Sequence, residues 1–162
     1  MSDKTTVTYR LNGTERSETV PANTVLADLL RERHGMTGVK LSCERGVCGS
    51  CTGLVDDRPV ATCSMMAFQV EGANVEVVDG ESADTHLGAA QQAFRERGGF
   101  QCGYCTSGML MLTAALLRRD PDPDPATVRA WISSNVCRCT GYEMILESVL
   151  RAGEIVREGE GE

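Results

Sequence analysis

The spacing of eight cysteines constrains this chain more than any other feature. Cys43, Cys48 and Cys51 fall in the run Cys43-Glu-Arg-Gly-Val-Cys48-Gly-Ser-Cys51, and Cys63 follows after a short hydrophobic passage. C-x4-C-x2-C with a fourth cysteine downstream is the plant-type ligand pattern for a [2Fe-2S] cluster. Three thiolates must converge from one tight loop onto two irons. Gly46 and Gly49 supply the reversals and leave backbone N–H groups free to face cluster sulfurs. The other four, Cys102, Cys105, Cys137 and Cys139, form a second set, C-x2-C with a distant C-x-C, and none is left over.

At 162 residues the chain is long enough for one sizeable domain or two small ones, and small domains lean on metal ligation for part of their folding energy. No basic, apolar N-terminal segment marks export, so disulfides are the weaker explanation of the cysteines and a cytoplasmic location is expected. Sixteen Lys and Arg stand against 23 Asp and Glu, a net charge of −7, which argues against a nucleic-acid surface. Glu158, Glu160 and Glu162 read as a polar tail. The longest apolar run, Met109 to Leu117, is too short to span a bilayer, so no membrane span is expected.

In chain order, Thr6–Leu11 alternates Val7, Tyr9 and Leu11 with polar residues, Asn12-Gly13 offers a two-residue turn, and Thr14–Val20 returns as a hairpin. Val25, Leu26, Leu29 and Leu30 are spaced for a helix, with Thr24 as N-cap and Gly35 as stop. Strands are predicted over Thr52–Val55, Pro59–Cys63 and Val75–Val78, the first two joined by Asp56-Asp57-Arg58. A small sheet packed by one helix, with a metal loop at its edge, is the β-grasp plan. From Asp79 to Asp84 no apolar period persists, so the domain boundary belongs there: residues 1–79 form a ferredoxin-like β-grasp domain and 84–158 a helical domain. Four helices are predicted beyond it, marked by Leu87, Ala90 and Phe94 before Gly98-Gly99, by Met109–Leu117, by Ala126–Ser133, and by Ile145, Leu146, Val149 and Leu150. Asp120 to Pro125, with three prolines, breaks the second from the third. The expected fold class is α+β, a β-grasp domain followed by a four-helix bundle.

Each half of the second cysteine set precedes a predicted helix, and a faint repeat relates Cys105-Thr106-Ser107-Gly108 to Cys139-Thr140-Gly141. Two helix N-termini facing one site would stabilise four thiolates, with Thr106 and Thr140 as caps. Four thiolates also suit tetrahedral zinc, which remains an alternative for the second set and is poor for the first. A thioredoxin-like role for Cys102-Gly-Tyr-Cys105 is disfavoured by the helical context and the two downstream cysteines. His34 and His86 are candidate Rieske-type ligands only on paper, since eight cysteines fill both sites. Asp56, Asp57 and Glu143 form no acid–base pair, no phosphate loop follows a strand, and Trp131 reads as bundle core.

Three segments, in order, resemble the signatures of a known family: Val39-Lys40 with the Cys43–Cys51 loop, Gln101-Cys102-Gly-Tyr-Cys105-Thr-Ser-Gly-Met, and Asn135-Val-Cys137-Arg-Cys139-Thr-Gly-Tyr. The family is the small iron–sulfur subunit of the molybdenum hydroxylases, the xanthine dehydrogenase, aldehyde oxidoreductase and carbon monoxide dehydrogenase group. The resemblance covers nearly the whole chain. It implies that Cys43, Cys48, Cys51 and Cys63 hold an exposed [2Fe-2S] cluster facing flavin. Cys102, Cys105, Cys137 and Cys139 would hold a buried one beside the molybdopterin, which Gln101 contacts and Cys139 approaches most closely. Ser42, Ser107 and Ser134 depart from the family's usual residues without removing a ligand, and bear on local loop geometry.

The resemblance further implies an electron-transfer subunit that relays electrons from the molybdopterin centre through two [2Fe-2S] clusters to FAD. It carries no substrate-binding or catalytic site of its own. The sequence ends at Glu162, so a molybdopterin-binding large subunit and an FAD-binding medium subunit are expected as separate partners, in a heterotrimer or a dimer of heterotrimers. Two other classes are distinguishable: a free ferredoxin would be a stable monomer with a polar surface, and a zinc-bound interaction module would contain no sulfide.

Overall fold

A computed structural model describes residues 3–79 and 85–160. Strand β1 (Lys4–Leu11) and β2 (Thr14–Pro21) form the expected hairpin, antiparallel with Leu11 opposite Thr14. Both turn residues have positive φ, 46° at Asn12 and 80° at Gly13, the conformation of the tight turn that matches strand twist. Asn12 does a second job: its side chain donates to the Asp79 carbonyl at 2.5 Å and accepts from the Val77 N–H at 2.9 Å, tying the turn to the end of the domain.

Helix α1 (Leu26–Asp28) is shorter than expected and runs on as a π-helical turn over Leu29–Arg33. Its N-cap is Val25, without a side-chain cap bond, so Thr24 does not cap it. The Thr24 carbonyl is instead taken by the Ala67 N–H at 2.9 Å. Gly35 does end the segment, with φ 68°. Strands β3 (Thr52–Val55) and β4 (Arg58–Ala61) are joined by Asp56-Asp57 alone, at φ 48° and 63°. Cys63 is not in a strand: it lies in a 3-10 turn, Thr62–Ser64, which swings it back toward the loop. Strand β5 (Asn74–Glu76) pairs parallel with β1 and antiparallel with β3, giving the order β2-β1-β5-β3-β4. Leu26, Leu29 and Leu30 pack with Val7, Tyr9, Leu11 and Val75 as one core.

Helices α2 (Thr85–Arg97), α3 (Thr106–Arg119), α4 (Pro125–Ile132) and α5 (Glu143–Glu160) make the helical half of an α+β fold. The Asp-Pro run ends α3 and starts α4, where the Asp124 side chain accepts from the Thr127 N–H at 2.7 Å as N-cap. Every residue from Gly108 to Leu117 is buried, so the α3 methionines are core rather than interface. Trp131 is half-buried; its indole N–H donates to the Leu112 carbonyl at 2.9 Å and the Arg119 guanidinium sits 5.2 Å over the ring. Glu158, in the stretch read as a polar tail, is exposed on the last turns of α5 and pairs with Arg151 at 3.1 Å. The expected boundary at 79–84 falls, beyond Asp79, outside the described residues.

The two halves interlock. Leu54 of β3 is fully buried in the helical core with Phe94, Met109 and Ile145. Beside it, Arg118 of α3 forks onto Glu76 of β5 (2.6 and 3.2 Å) and onto Asp57 of the β3–β4 turn (2.5 Å), its side chain only 18% exposed. Among the described residues no helix is long and apolar enough to cross a membrane.

Candidate metal centres

Residues Cys43 to Cys51 leave α1 and enter β3 as an irregular loop whose backbone turns inward. The Val47 and Cys48 N–H groups donate to the Cys43 sulfur at 3.4 and 3.3 Å, and the Gly46 N–H donates to the Cys63 sulfur at 3.3 Å. Such a nest of N–H groups stabilises negative charge. Accordingly the Cys43 thiol is pulled down to about 6 by backbone hydrogen bonds from Cys48, Arg45 and Val47. Cys63 is pushed up to about 11, first by burial, against the bond from Gly46, with the Cys51 and Cys43 sulfurs adding to the rise. The one loop backbone thus reaches both the Cys43 and the Cys63 sulfurs, and the thiols of Cys48 and Cys51 lie near enough to them to influence their protonation.

The second set meets at the N-terminus of α3. Cys105 is the N-cap residue of that helix, and Cys137 and Cys139 arrive on the α4–α5 connection. Cys102 and Cys139 lie 3.6 Å apart, sulfur to sulfur, while Cys105 lies beside Cys137. Burial, then the Cys137 sulfur, push the Cys105 thiol up to about 12. Burial also raises Cys137, yet hydrogen bonds led by the Thr140 hydroxyl, at 3.2 Å, outweigh it and leave that thiol below its ordinary value. Thr140 thus serves a sulfur and the Tyr142 N–H rather than capping α5, which starts later at Glu143. Thr106 caps nothing either: its hydroxyl oxygen is buried without a partner.

The donor chemistry fits two-iron clusters. All eight cysteines are free thiols. Among the described residues no three His, Cys, Asp or Glu side chains gather as a single-ion site. The eight sulfurs converge instead as two separate all-cysteine sets of four, Cys43, Cys48, Cys51 and Cys63 in one and Cys102, Cys105, Cys137 and Cys139 in the other, the four-thiolate donor set that a [2Fe-2S] cluster takes. Neither histidine joins either set of thiols: the His34 Nε2 lies 2.5 Å from the buried Tyr9 hydroxyl, and His86 stands at the start of α2.

Sequence reasoning missed what joins the sets. Asn135, 2% exposed, donates from Nδ2 to the Gly49 carbonyl at 3.1 Å. The Val136 N–H donates to the Cys48 carbonyl at 2.9 Å, the Ser107 hydroxyl lies 3.5 Å from the Ser50 carbonyl, and the Tyr104 hydroxyl donates to the Leu41 carbonyl. A cavity of about 170 Å³ between the loops is lined by Cys48, Cys102, Cys105, Cys137 and Cys139. Gly108, inside an otherwise apolar helix, was the one legible hint: a Cβ there would stand 2.1 Å from the Gly49 carbonyl oxygen. Gln101 and, of the second set, Cys102 and Cys139 are exposed, and in the first loop Val47 is exposed and Cys43 half-buried.

Comparison with known proteins places both halves. Residues 9–77 match the 2Fe-2S iron–sulfur cluster binding domain family and residues 75–150 the [2Fe-2S] binding domain family. The chain is 42% identical over 151 residues to the nicotine 6-hydroxylase small subunit of Paenarthrobacter nicotinovorans, covering 93% of this chain and 91% of that one. The solved structure of quinoline 2-oxidoreductase from Pseudomonas putida 86 contains a chain 41% identical, with a TM-score of 0.87 over 98% of this chain and 99% of that one. The aldehyde oxidoreductase of Desulfovibrio desulfuricans ATCC 27774 superposes with a TM-score of 0.88 at 35% identity, over 94% of this chain but only 17% of that one.

Proposed function

The chain belongs to the small iron–sulfur subunits of the molybdenum hydroxylases, and we propose from that membership how its own residues serve the complex. Bound to the two thiol sets, two [2Fe-2S] clusters supply one-electron carriage between a molybdopterin centre and FAD on partner subunits. The first set is assigned to Cys43, Cys48, Cys51 and Cys63, the second to Cys102, Cys105, Cys137 and Cys139. The domains divide as residues 1–79 and 84–158.

The observation that carries this proposal is the direct contact between the two thiol loops. Val136, next to Cys137, donates its N–H to the carbonyl of Cys48, so a ligand of each set is joined through one hydrogen bond and a few covalent bonds. The chain's work is to hold the thiols, direct N–H groups at them and fix the separation of the two loops. Gln101 and Cys139, both exposed at the second set, are assigned to the molybdopterin side, and the Cys43 loop to the flavin side. Apolar side chains stand exposed near the thiol sets, Val47 within the first loop and Phe100, Tyr104 and Val136 close in sequence to the second-set cysteines. This suits permanent partners better than a free carrier. A molybdopterin-binding large subunit and an FAD-binding medium subunit, in a heterotrimer or its dimer, are the partners proposed.

Purification of the chain from its native source tests the assignment. Molybdenum and flavin polypeptides should co-purify in fixed ratio; a stable monomer that reduces several unrelated enzymes equally well would overturn it.

A further inference from the structure

Three consecutive carbonyls of the first thiol loop, those of Cys48, Gly49 and Ser50, face the helical domain and are met there by Val136 N–H, Asn135 Nδ2 and the Ser107 hydroxyl. The middle one is the most heavily engaged. The Gly49 carbonyl accepts from the Thr52 N–H at 3.0 Å, the Thr52 hydroxyl at 2.7 Å and Asn135 at 3.1 Å. Asn135 is itself held, its Oδ1 lying 3.3 Å from the Thr52 hydroxyl. No room is spare: a Cβ on Gly49 would overlap the Asn135 carboxamide at 1.6 Å.

In a planar trans peptide the C=O of one residue and the N–H of the next point in opposite directions. Carbonyls drawn toward the helical domain at Cys48, Gly49 and Ser50 therefore turn the N–H groups of Gly49, Ser50 and Cys51 away from that domain, extending the run of loop N–H groups that begins with those of Gly46, Val47 and Cys48 on the Cys63 and Cys43 sulfurs. Donors aimed at cluster sulfurs stabilise the more negative, reduced state and raise the reduction potential.

We propose that Asn135, although its neighbour Cys137 is assigned to the second set, is a positioning residue for the first: it holds the Gly49 carbonyl so that the loop's N–H groups stay directed at the first cluster and keep its potential high. The potential of the flavin-side carrier is then set partly by the other domain, which makes downhill transfer between the two a property of their docking. This rests on the cluster assignment above.

The test is a redox titration of the cluster-loaded full chain, followed by EPR so that the two reduced clusters are read separately. Asn135→Ala should lower the first midpoint, making reduction of that cluster about fivefold less favourable, the weight of one net hydrogen bond, with the second midpoint unmoved. Asn135→Asp keeps size and the Oδ contact but sets an acceptor against the Gly49 carbonyl, so it should lower the first midpoint at least as far; a packing role alone predicts no shift for it. Thr52→Val, nearly isosteric, removes a second donor from the same carbonyl and should shift the first midpoint in the same sense, which decides the matter if Asn135 variants load poorly. Unchanged first midpoints in Asn135→Asp and Thr52→Val, or a shift confined to the second cluster, would overturn the proposal. Absence of any reduced-cluster signal in the wild-type chain would instead overturn the cluster assignment.

Discussion

Replacing Gly49 by alanine probes the interlock of the two halves directly, and Gly13→Ala supplies its control. Both glycines sit at positive φ, 70° and 80°, where an L side chain costs about 1–2 kcal/mol. At Gly13 a Cβ meets nothing within 4 Å, so that conformational cost is all that is expected. At Gly49 it meets Asn135 Oδ1 at 1.6 Å and Cγ at 2.1 Å, so the carboxamide must leave its place, breaking its bond to Gly49 and stranding buried polar atoms at a cost of about 1–3 kcal/mol more. Gly49→Ala should therefore exceed Gly13→Ala by about 2 kcal/mol, a large share of a typical stability of about 5–15 kcal/mol. In anaerobic urea unfolding, with a slope near 2 kcal/mol per molar, the midpoints should differ by about 1 M. Adding Asn135→Ala removes the colliding group, so the double variant should be less destabilised than the sum of the singles. Equal midpoints for the two glycine variants, or strict additivity with Asn135→Ala, would refute the contact between the domains.

Arg118→Met should cost about 2 kcal/mol, because it strips the partly buried Glu76 of a charged, two-pronged partner, with exposed Asp57 adding little; thermal unfolding of the chain reads it, and no change would show that the clamp is not structural. Cys139→Ser should alter or remove the EPR signal of the second cluster while the first persists, and slow first-cluster reduction by substrate in stopped flow; equal loss of both signals would mean that the sites assemble as one unit. His34 is held below its ordinary pKa, chiefly by burial, against Glu18, which raises it, and with Arg16 also lowering it. Its neutral form, half-buried beside Tyr9, therefore contributes stability that is present above the unfolded value near 6.5 and lost as pH falls toward the folded value. Urea midpoints between pH 7.5 and 5.5 should decline, and His34→Gln should flatten that decline.

What was legible in the sequence was what local chemistry dictates. The cysteine spacing points to the cofactor because thiolate ligands cannot be substituted freely, and Asn12-Gly13 gave its hairpin because few other pairs adopt two successive positive φ angles. Asp120 to Pro125 marked its break because proline lacks a donor. Misplaced features were those decided by contacts distant in sequence. Thr24 looked like a cap, but its carbonyl is engaged by Ala67 while Val25 takes the cap position. Cys63 read as the end of a strand, but the chain bends there into a 3-10 turn. Asn135 opens the third cysteine-bearing segment, yet nothing local there or at Arg118 points to partners 86 and 42 residues away, and only Gly108, a poor helix former in a tightly packed helix, hinted that two backbones approach each other there.

The central claim, that eight thiols hold two [2Fe-2S] clusters, is tested most directly by iron and acid-labile sulfide analysis of anaerobically purified chain together with EPR of the dithionite-reduced protein. About four irons and four sulfides per chain, two of each per cluster, with two distinguishable reduced-cluster signals, are expected. Zinc without sulfide, or iron for a single cluster with one signal, would contradict it.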